Sequence, residues 1–412
     1  MAAPSAAPLA LVMGDVDMVR ALGIAGIQSA FFGFADDSAR FSRHVRASLP
    51  WIDQWTRQPE LVRALLELAR SQPRAPVLFP QTDATLLLAS RHRERLAEGL
   101  RLMLANPDLI EQLVDKGRFE ALAARRELPV PRAQRLEPAP DDPPPPLEVP
   151  FPVVIKPLTR TPAWSGFAGS SKALHVQGRE DFVALWPRLA GLRTGLLAQQ
   201  LVAGPESRIE SYHVYVDASG AIAGEFTGRK IRTFPREYGQ STAVEVVPLR
   251  DVAALGRDVV ARLGLAGVAK LDFKRDEHGR LHLLEINPRF NLWHHPGAVA
   301  GVNLPALVYA DLTGRERPPA AQSPRSVRWC DPLQDLRAAH ADGLAPLAWL
   351  RWALGCEAVC GLAWEDPLPF LRGRLWPAVW RRATGPAVRV ARRAGASPTG
   401  PRGPDGGPGS SG

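Results

Sequence analysis

The segment LHLLEINPRF at 281–290 carries the residues best suited to chemistry. In an extended strand alternate side chains share a face, so Glu285, Asn287 and Arg289 are predicted to project to one side and Leu284 to the other. Carboxylate and amide oxygens are hard ligands that suit a divalent cation. The proline before Arg289 ends the strand, which leaves that arginine placed to bind an anionic group through two hydrogen bonds.

The partner of this segment is predicted to be the strand Val268–Lys274. The residues Asp276–Gly279 between the two have the composition of a hairpin turn. In such a hairpin Asp272 lies opposite Leu283 or Glu285, depending on the register of the turn. Directly opposed side chains on one face have Cβ atoms about 5 Å apart.

Two carboxylates that face each other on neighbouring strands repel and need a compensating cation. Asp272, Glu285 and Asn287 together offer the oxygens that Mg²⁺ prefers, with phosphate oxygens and water completing its coordination. The alternative is that Lys270 and Arg289 pair with these acids on a solvated face of the sheet. The sequence therefore predicts a magnesium site, with a network of ion pairs as the alternative.

A second group of residues is suited to binding phosphate. Phe151–Ile155 is predicted to be a buried strand, and Lys156 stands at its end. The stretch 158–171 is rich in small residues, including Ser170 and Ser171, so its backbone N–H groups can approach an anion. We expect a strand, a flexible flap and a second strand here. A Walker sequence is absent, and the alternative is a plain loop.

A third group is suited to binding a nucleoside. In LLAQQLVAGPE at 196–206, an apolar strand ends near Gln199, where backbone groups can meet the edge of a base. Glu206 follows in the turn and can accept hydrogen bonds from ribose hydroxyls. Lys116, after Asp115 at the start of a predicted helix, adds a further cation. The alternatives are an edge strand with a turn and an ordinary exposed helix lysine.

The elements that position these residues begin with alternating strands and helices over roughly 1–110, which predict a wound parallel α/β sheet. Gln81, Thr82 and Asp83 follow a strand of this region, where such sheets bind ligands, although Thr82 and Asp83 equally fit a helix cap. The expected elements are strands at Leu9–Met13, Ser29–Phe32 and Ala75–Phe79 and helices at Val16–Leu22 and Pro50–Arg70.

Beyond residue 110 the pattern changes to strand pairs with tight turns, such as Asp217–Gly220, and 111–315 is predicted to be α+β. The prolines of 136–150 exclude helix and central strand, so this stretch is expected to be an exposed loop. Residues 316–394 are predicted to be mostly helical. Residues 395–412 have the low-complexity composition of a disordered tail.

The composition is that of an ordinary globular protein, with 45% hydrophobic and 23% charged residues among 412. Without a run of about 18 apolar residues, no membrane-spanning helix is expected. The first residues lack a basic region before their apolar stretch, so we expect no signal peptide and a cytoplasmic location. Three sparse cysteines fit a reducing compartment, and the net charge of +9 suits anionic partners.

Together, these motifs and their order resemble the ATP-grasp superfamily over about residues 1–315. The resemblance implies a pre-ATP-grasp α/β domain at 1–110, an ATP-grasp domain at 111–315 and a helical extension at 316–394. The implied roles are phosphate binding by Lys116, Lys156, Ser170 and Ser171, adenine and ribose binding by Gln199, Leu201 and Glu206, Mg²⁺ or Mn²⁺ binding by Asp272, Glu285 and Asn287, and stabilisation of the phosphoryl group or acyl phosphate by Arg289.

Within the superfamily, the chain looks most like bacterial carboxylate–amine ligases of the D-aspartate-ligase-like type. The segment 227–239 supports this, with Arg229, Lys230 and Arg232 expected to face the nucleotide or a carboxylate. In the implied reaction ATP phosphorylates a small-molecule carboxylate, an amine attacks the acyl phosphate, and ADP and phosphate leave. Relatives of this type are often homodimers. Gln199 departs from the glutamate that is frequent at its position.

Two other functions fit parts of the sequence. One is an ATP-grasp kinase or carboxylase, although we find no phospho-histidine or biotin-carrier segment. The other is nucleotide sensing, or binding to nucleic acid or to a membrane surface, motivated by the basic stretch 371–393 with Trp376 and Trp380. Of these partners, nucleic acid ranks below a peripheral membrane contact. The alternative for 371–393 is a terminal helix whose tryptophans cover the core.

Overall fold

The computed structural model describes residues 7–158, 162–168, 173–236 and 239–376. The strands are β1 Ala10–Met13, β2 Ser29–Gly33, β3 Val45–Pro50, β4 Val77–Pro80, β5 Ala133–Leu136, β6 Val153–Pro157, β7 Leu174–Val176, β8 Leu196–Gln200, β9 Ile209–Val216, β10 Ile222–Phe234, β11 Gln240–Val246, β12 Gly267–Arg275, β13 Leu281–Asn287, β14 Val327–Cys330 and β15 Ala358–Val359. The helices are α1 Val16–Ile24, α2 Gln58–Arg70, α3 Asp83–Arg91, α4 Arg93–Ala97, α5 Pro107–Val114, α6 Lys116–Arg125, α7 Pro162–Ala168, α8 Arg179–Ala190, α9 Arg250–Leu263, α10 His294–Val299, α11 Leu304–Thr313, α12 Pro332–Ala341, α13 Pro346–Leu354 and α14 Leu368–Phe370. Single helical turns lie at Ser38–Phe41, Glu206–Arg208 and Leu371–Leu375.

The first sheet has four parallel strands in the order β3-β2-β1-β4. Strands β1, β2 and β4 are buried along their whole length, as is usual for a parallel sheet covered on both faces. The predicted wound α/β sheet is confirmed. The prediction of a helix over Pro50–Arg70 is wrong in its first part. Pro50 is the last residue of β3, an edge strand, and α2 begins only at Gln58. In β3, half-buried and exposed residues alternate.

The second sheet has seven strands in the order β13-β12-β9-β10-β11-β14-β15, and the third has four antiparallel strands in the order β5-β8-β6-β7. The two hairpins predicted from their turns are confirmed. They turn at Gly220 and Gly279, which have positive φ values of 85° and 81°, where glycine is the least strained residue. The predicted α+β character is therefore confirmed.

Hydrophobic clusters fix the sheets relative to one another. On one face of the second sheet, α5, α6 and α9 pack against β9, β12 and β13. On the other face, α10 and α11 share a core with α1 and β1 of the first sheet, in which Phe226 and Trp293 are almost completely buried. The strand ends of the first sheet are thereby held against the β12–β13 hairpin.

The C-terminal part contains more strand than predicted. β14 pairs antiparallel with β11 and β15 pairs parallel with β14, so both strands extend the second sheet. Runs of four and two residues are too short for periodicity to distinguish from helix. The helices α12 and α13 agree with the predicted helical pattern. The division of the chain at residues 110 and 315 stays a prediction, and 395–412 lie outside the described residues.

The stretch 158–171 differs from the expected flap between two strands. Its described part contains α7, with Trp164 fully buried and in edge contact with Phe167. Ser170 and Ser171 lie outside the described residues. Among the helices that the structure describes, none is both long enough and apolar enough to cross a bilayer.

Candidate functional site

Most residues singled out from the sequence converge on two adjoining cavities. The first has a volume of about 210 Å³ and lies between the second and third sheets. The second, of about 420 Å³, lies towards the first sheet and shares Lys230 and Glu285 with it. Predicted site residues that line the first cavity are Lys116, Lys156, Gln199, Leu201, Glu206, Lys230, Asp272 and Glu285. Asn287 and Arg289 line the second cavity.

The β12–β13 hairpin places Asp272 directly opposite Glu285, which decides between the two registers that the sequence allowed. Asn287 donates a hydrogen bond from Nδ2 to Oε1 of Glu285 at 3.1 Å. The three side chains are therefore brought together. The placement of Leu284 on the opposite face is wrong. A bulge leaves Leu284 unpaired, and it lines the first cavity beside Glu285.

Asp272 is buried among hydrogen-bond donors. Nζ of Lys270 lies 2.7 Å from its Oδ2, Nζ of Lys230 lies 3.8 Å from the same oxygen, and the Ser211 hydroxyl donates to Oδ1. Burial raises the pKa of Asp272, but the two lysines and the hydrogen bonds outweigh burial and hold the pKa below its usual value. Asp272 is therefore ionised at neutral pH, and the ion pair with Lys270 foreseen as an alternative is present.

The donor set of Asp272, Glu285 and Asn287 suits Mg²⁺, which binds one or two carboxylates and takes its remaining ligands from phosphate and water. Among the residues that the structure describes, no cluster of three or more His, Cys, Asp or Glu side chains could hold a metal ion without such help. A metal at these residues would therefore need the amide oxygen and the oxygens of a bound nucleotide.

The two predicted phosphate-binding lysines approach the first cavity from α6 and β6. Lys116 donates from Nζ to the carbonyl oxygen of Pro157 at 3.1 Å. Burial lowers the pKa of Lys156, and the nearby carboxylates of Glu120 and Glu285 only partly offset this. A bound anion would stabilise such a buried ammonium group by adding opposite charge.

The predicted nucleoside-binding residues lie along β8 and the turn that follows it. Gln199 donates from Nε2 to Oε1 of Glu120 at 3.2 Å, and burial raises the pKa of this glutamate, which sequence reasoning missed. The backbone N–H of Leu201 donates a hydrogen bond to the carbonyl oxygen of Pro152 at 3.0 Å. Leu201 and Glu206 both line the first cavity.

Of the three basic residues in the segment 227–239 that were predicted to face a ligand, only Lys230 lines the cavities. Arg229 pairs with Glu245 at 2.7 Å. Arg232 pairs with buried Asp335 of α12 at 2.6 Å, so the prediction that Arg229 and Arg232 face a ligand is wrong. A shift in the β10–β11 register between Lys230 and Arg232 disturbs the alternation on which that prediction relied.

The second cavity contains an acid that sequence reasoning did not assign a role. Asp15 follows β1 and lines the cavity, and its backbone N–H donates to Oε1 of Gln81 at 2.9 Å. Burial, reinforced by the charge of Asp17, raises the pKa of Asp15 to about 6. The signal available in the sequence was the Gly14–Asp15 turn after the first strand. A Cβ on Gly14 would lie 1.8 Å from Oε1 of Gln81.

Arg289 connects the hairpin to the first sheet. Its Nε donates to Oδ1 of Asp83 at 2.5 Å, and Nη1 donates to the carbonyl oxygen of Gln81 at 3.0 Å. Thr82 forms a capping box with Thr85, so the helix-cap interpretation of Thr82 holds, and Thr82 also lines the second cavity. Arg289 thus pairs with Asp83 rather than with the acids of β12 and β13.

A wound parallel sheet followed by two largely antiparallel sheets, with lysines and acids around the cavity between them, defines the class of this protein: it has the ATP-grasp fold. A family model described as "ATP-grasp in the biosynthetic pathway with Ter operon" matches residues 217–332. Within that class, the chain resembles carboxylate–amine ligases.

Known proteins of both ligase and carboxylase type resemble the chain. A D-alanine–D-alanine ligase from Pseudomonas putida (strain GB-1) is 27% identical over 184 residues, which cover 40% of this chain and 52% of that protein. The chain thus spans about half the length of the curated relatives it matches. The solved L-amino acid ligase from Bacillus licheniformis has a TM-score of 0.57 at 14% identity and 76% coverage of both chains. A biotin carboxylase–β,γ-ATP complex from Campylobacter jejuni has a TM-score of 0.58 at 15% identity, covering 79% of this chain and 75% of that one.

Proposed function

We propose that the protein is an ATP-dependent ligase that joins a small carboxylate to an amine through an acyl phosphate and releases ADP and phosphate. The observation that carries this proposal is the convergence of Asp272, Glu285 and Asn287 with Lys116 and Lys156 around adjoining cavities. This set combines oxygen ligands for Mg²⁺ with ammonium groups for a triphosphate. The resemblance to two amino-acid ligases supports the same reaction.

In this proposal ATP occupies the first cavity. Leu201 and Leu284 contact the base, and Glu206 accepts hydrogen bonds from the ribose. Lys116 and Lys156 bind the phosphates. Phosphate binding by Ser170 and Ser171, which lie outside the described residues, stays a prediction. Asp272, Glu285 and Asn287 would hold Mg²⁺, or Mn²⁺ in its place, which would neutralise charge on the triphosphate.

The carboxylate and the amine occupy the second cavity in this proposal. A carboxylate has no good leaving group, and phosphorylation supplies one. Lys230 and Arg289 line this cavity and stabilise negative charge on the transferred phosphoryl group and on the tetrahedral intermediate. Asp15 also lines this cavity, and a carboxyl group of pKa about 6 is suited to accept the proton that an ammonium substrate loses before the free amine attacks.

A carboxylase-type reaction is the second candidate, because the carboxylase structure resembles the chain as closely as the ligase structure does. Bicarbonate would then take the place of the organic carboxylate, and the first phosphorylation would be the same. Phosphate release that depends on bicarbonate, and not on a panel of amino acids, would favour this second candidate.

The test is product analysis with Mg-ATP and panels of carboxylates and amines. ADP and phosphate should appear in equal amounts with the amide, whereas AMP and pyrophosphate would reject the mechanism. Glu285→Gln should abolish turnover, because it removes a charged metal ligand. Glu277→Gln is the matched control, since Glu277 lies at the exposed turn of the same hairpin. The cytoplasmic location and the homodimer stay predictions.

A further inference from the structure

Gln199 lies on the face of the third sheet that borders the first cavity. In β8, Leu196 and Ala198 pack with α8 in one hydrophobic cluster, and alternation along the strand turns Gln199 to the opposite face. Val154 of β6 is paired directly with Gln199 and lines the same cavity. Only 5% of Gln199 is exposed, so its amide group is almost surrounded by protein. The partners of this amide therefore decide what it offers to a ligand.

Glu120 of α6 approaches the same face of the third sheet. Its Oε1 accepts the hydrogen bond from Nε2 of Gln199 at 3.2 Å. Burial raises the pKa of Glu120, and the charge of nearby Lys156 partly offsets this effect. Among the described residues, Glu120 lines a cavity of about 130 Å³ that shares Lys116 and Lys156 with the first cavity, and it does not line the first cavity itself. Glu120 therefore contacts the amide of Gln199 from outside the space proposed for the nucleotide.

The contact with Glu120 fixes which way the amide of Gln199 points. The two arms of an amide are nearly equal in shape, so hydrogen-bond partners decide its orientation. A carboxylate only accepts hydrogen bonds, so the amide nitrogen of Gln199 has to face Glu120. The amide oxygen is thereby directed away from α6, where Gln199 lines the first cavity. A glutamate at position 199 would need no such partner, because both of its oxygens accept hydrogen bonds.

An oriented amide oxygen at this wall distinguishes one purine from another. Adenine carries a hydrogen-bond donor, its exocyclic amino group, where guanine carries an acceptor. A buried acceptor that meets another acceptor, or stays unpaired, loses a hydrogen bond that it makes in water, so the wrong base is penalised. Leu201, Val202 and Leu284 also line the first cavity, but their side chains carry no hydrogen-bonding group. Base selection by side chains in this part of the cavity therefore depends on Gln199.

We propose that Glu120 is a positioning residue that selects adenine nucleotides by fixing the amide orientation of Gln199. This inference rests on the proposed function, because it takes the first cavity as the nucleotide site. Glu120 acts through Gln199 and does not contact the nucleotide. Its charge also raises the pKa of Lys156, against the larger effect of burial, so a change at Glu120 acts on phosphate binding as well. A comparison of two nucleotides that share one triphosphate separates base selection from phosphate binding.

The proposal is tested by calorimetry of the full chain with the magnesium complexes of ATP and of purine riboside triphosphate. The second nucleotide lacks only the exocyclic amino group, so the ratio of the two affinities isolates that group, and effects through Lys156 cancel. We expect the wild type to bind ATP about tenfold more tightly. In Glu120→Gln the ratio should fall to about two or less, because an amide partner donates as well as accepts and leaves Gln199 free to turn over.

A rescue variant separates amide orientation from damage to the fold. In the double variant Glu120→Gln with Gln199→Glu, a carboxylate at position 199 again offers an acceptor to the cavity, so the affinity ratio should return to about the wild-type value. Glu111→Gln is the matched control, because Glu111 of the neighbouring helix α5 pairs with Arg91 and lines neither cavity of the candidate site. This control should keep the wild-type ratio.

The outcomes distinguish this inference from the proposed function. A wild-type ratio near one, an unchanged ratio in Glu120→Gln, or a double variant as unselective as Glu120→Gln would overturn the role of Glu120. ATP binding would remain in each of these cases, so the proposed ligase function would stand. A wild type that binds neither nucleotide would reject the nucleotide site, and with it both the proposed function and this inference.

Discussion

The substitution Asp15→Asn separates two contributions of this acid, one to stability and one to the proposed reaction. Oδ1 of Asp15 caps α1 by accepting hydrogen bonds from the N–H groups of Asp17 and Met18, at 3.0 and 3.2 Å. Asparagine is as good an N-cap as aspartate, so the variant keeps the cap and loses the charge.

The charge of Asp15 costs free energy in the folded protein. Its pKa rises from 3.8 to about 6, mainly through burial and then through Asp17. At about 1.4 kcal/mol per pKa unit, the raised pKa corresponds to a free-energy cost of at most about 3 kcal/mol. Screening by solvent in the open cavity lowers this cost to about 1–3 kcal/mol. The pKa of Asp15 is higher in the folded state than in the unfolded state. The contribution of Asp15 to stability is therefore fully present below pH 3.8 and is lost as the pH rises through about 6.

We therefore expect Asp15→Asn to be more stable than the wild type by about 1–3 kcal/mol near pH 8, and about equally stable near pH 4. Urea unfolding followed by circular dichroism at both pH values measures the difference. Amine-dependent phosphate release should fall, because the amide cannot accept a proton. A variant that is less stable near pH 8, or equally stabilised at both pH values, would refute the reasoning.

Three further substitutions test other parts of the structure. Lys156→Met removes a buried charge, so it should preserve stability. It should weaken Mg-ATP binding by about tenfold or more, as measured by calorimetry. An unchanged affinity would show that Lys156 does not belong to the site. Asp335→Asn leaves a buried arginine unpaired and should cost about 3–5 kcal/mol in urea titration, against less than about 1 kcal/mol for Glu60→Gln in an exposed pair. Gly14→Ala forces a Cβ against Gln81 and should lower Tm by several degrees, and a wild-type Tm would contradict the close approach.

The parts of the candidate site that the sequence predicted are local in the chain. Asp272 and Glu285 belong to one hairpin, whose turn composition specified both strands and left only the register open. Lys156 and Gln199 lie at the ends of apolar runs bounded by proline and glycine. Short-range periodicity and turn chemistry were sufficient for these residues.

The parts that it did not predict depend on long-range packing or on irregular backbone. Asp15 reaches the cavity because α10 and α11 hold the first sheet against the hairpin, and no local pattern records that contact. Leu284 changed face through a bulge, which alternation cannot foresee. Arg232 found a partner, Asp335, more than a hundred residues away in the chain.

In the Arg289–Asp83 pair, the carboxylate of Asp83 competes with an external anion for the Nε of Arg289. A negatively charged ligand that takes the Nε of Arg289 in the second cavity displaces a carboxylate held at 2.5 Å. By thermodynamic reciprocity, the ligand then loosens α3 from the end of β13 by the same factor by which the pair weakens ligand binding.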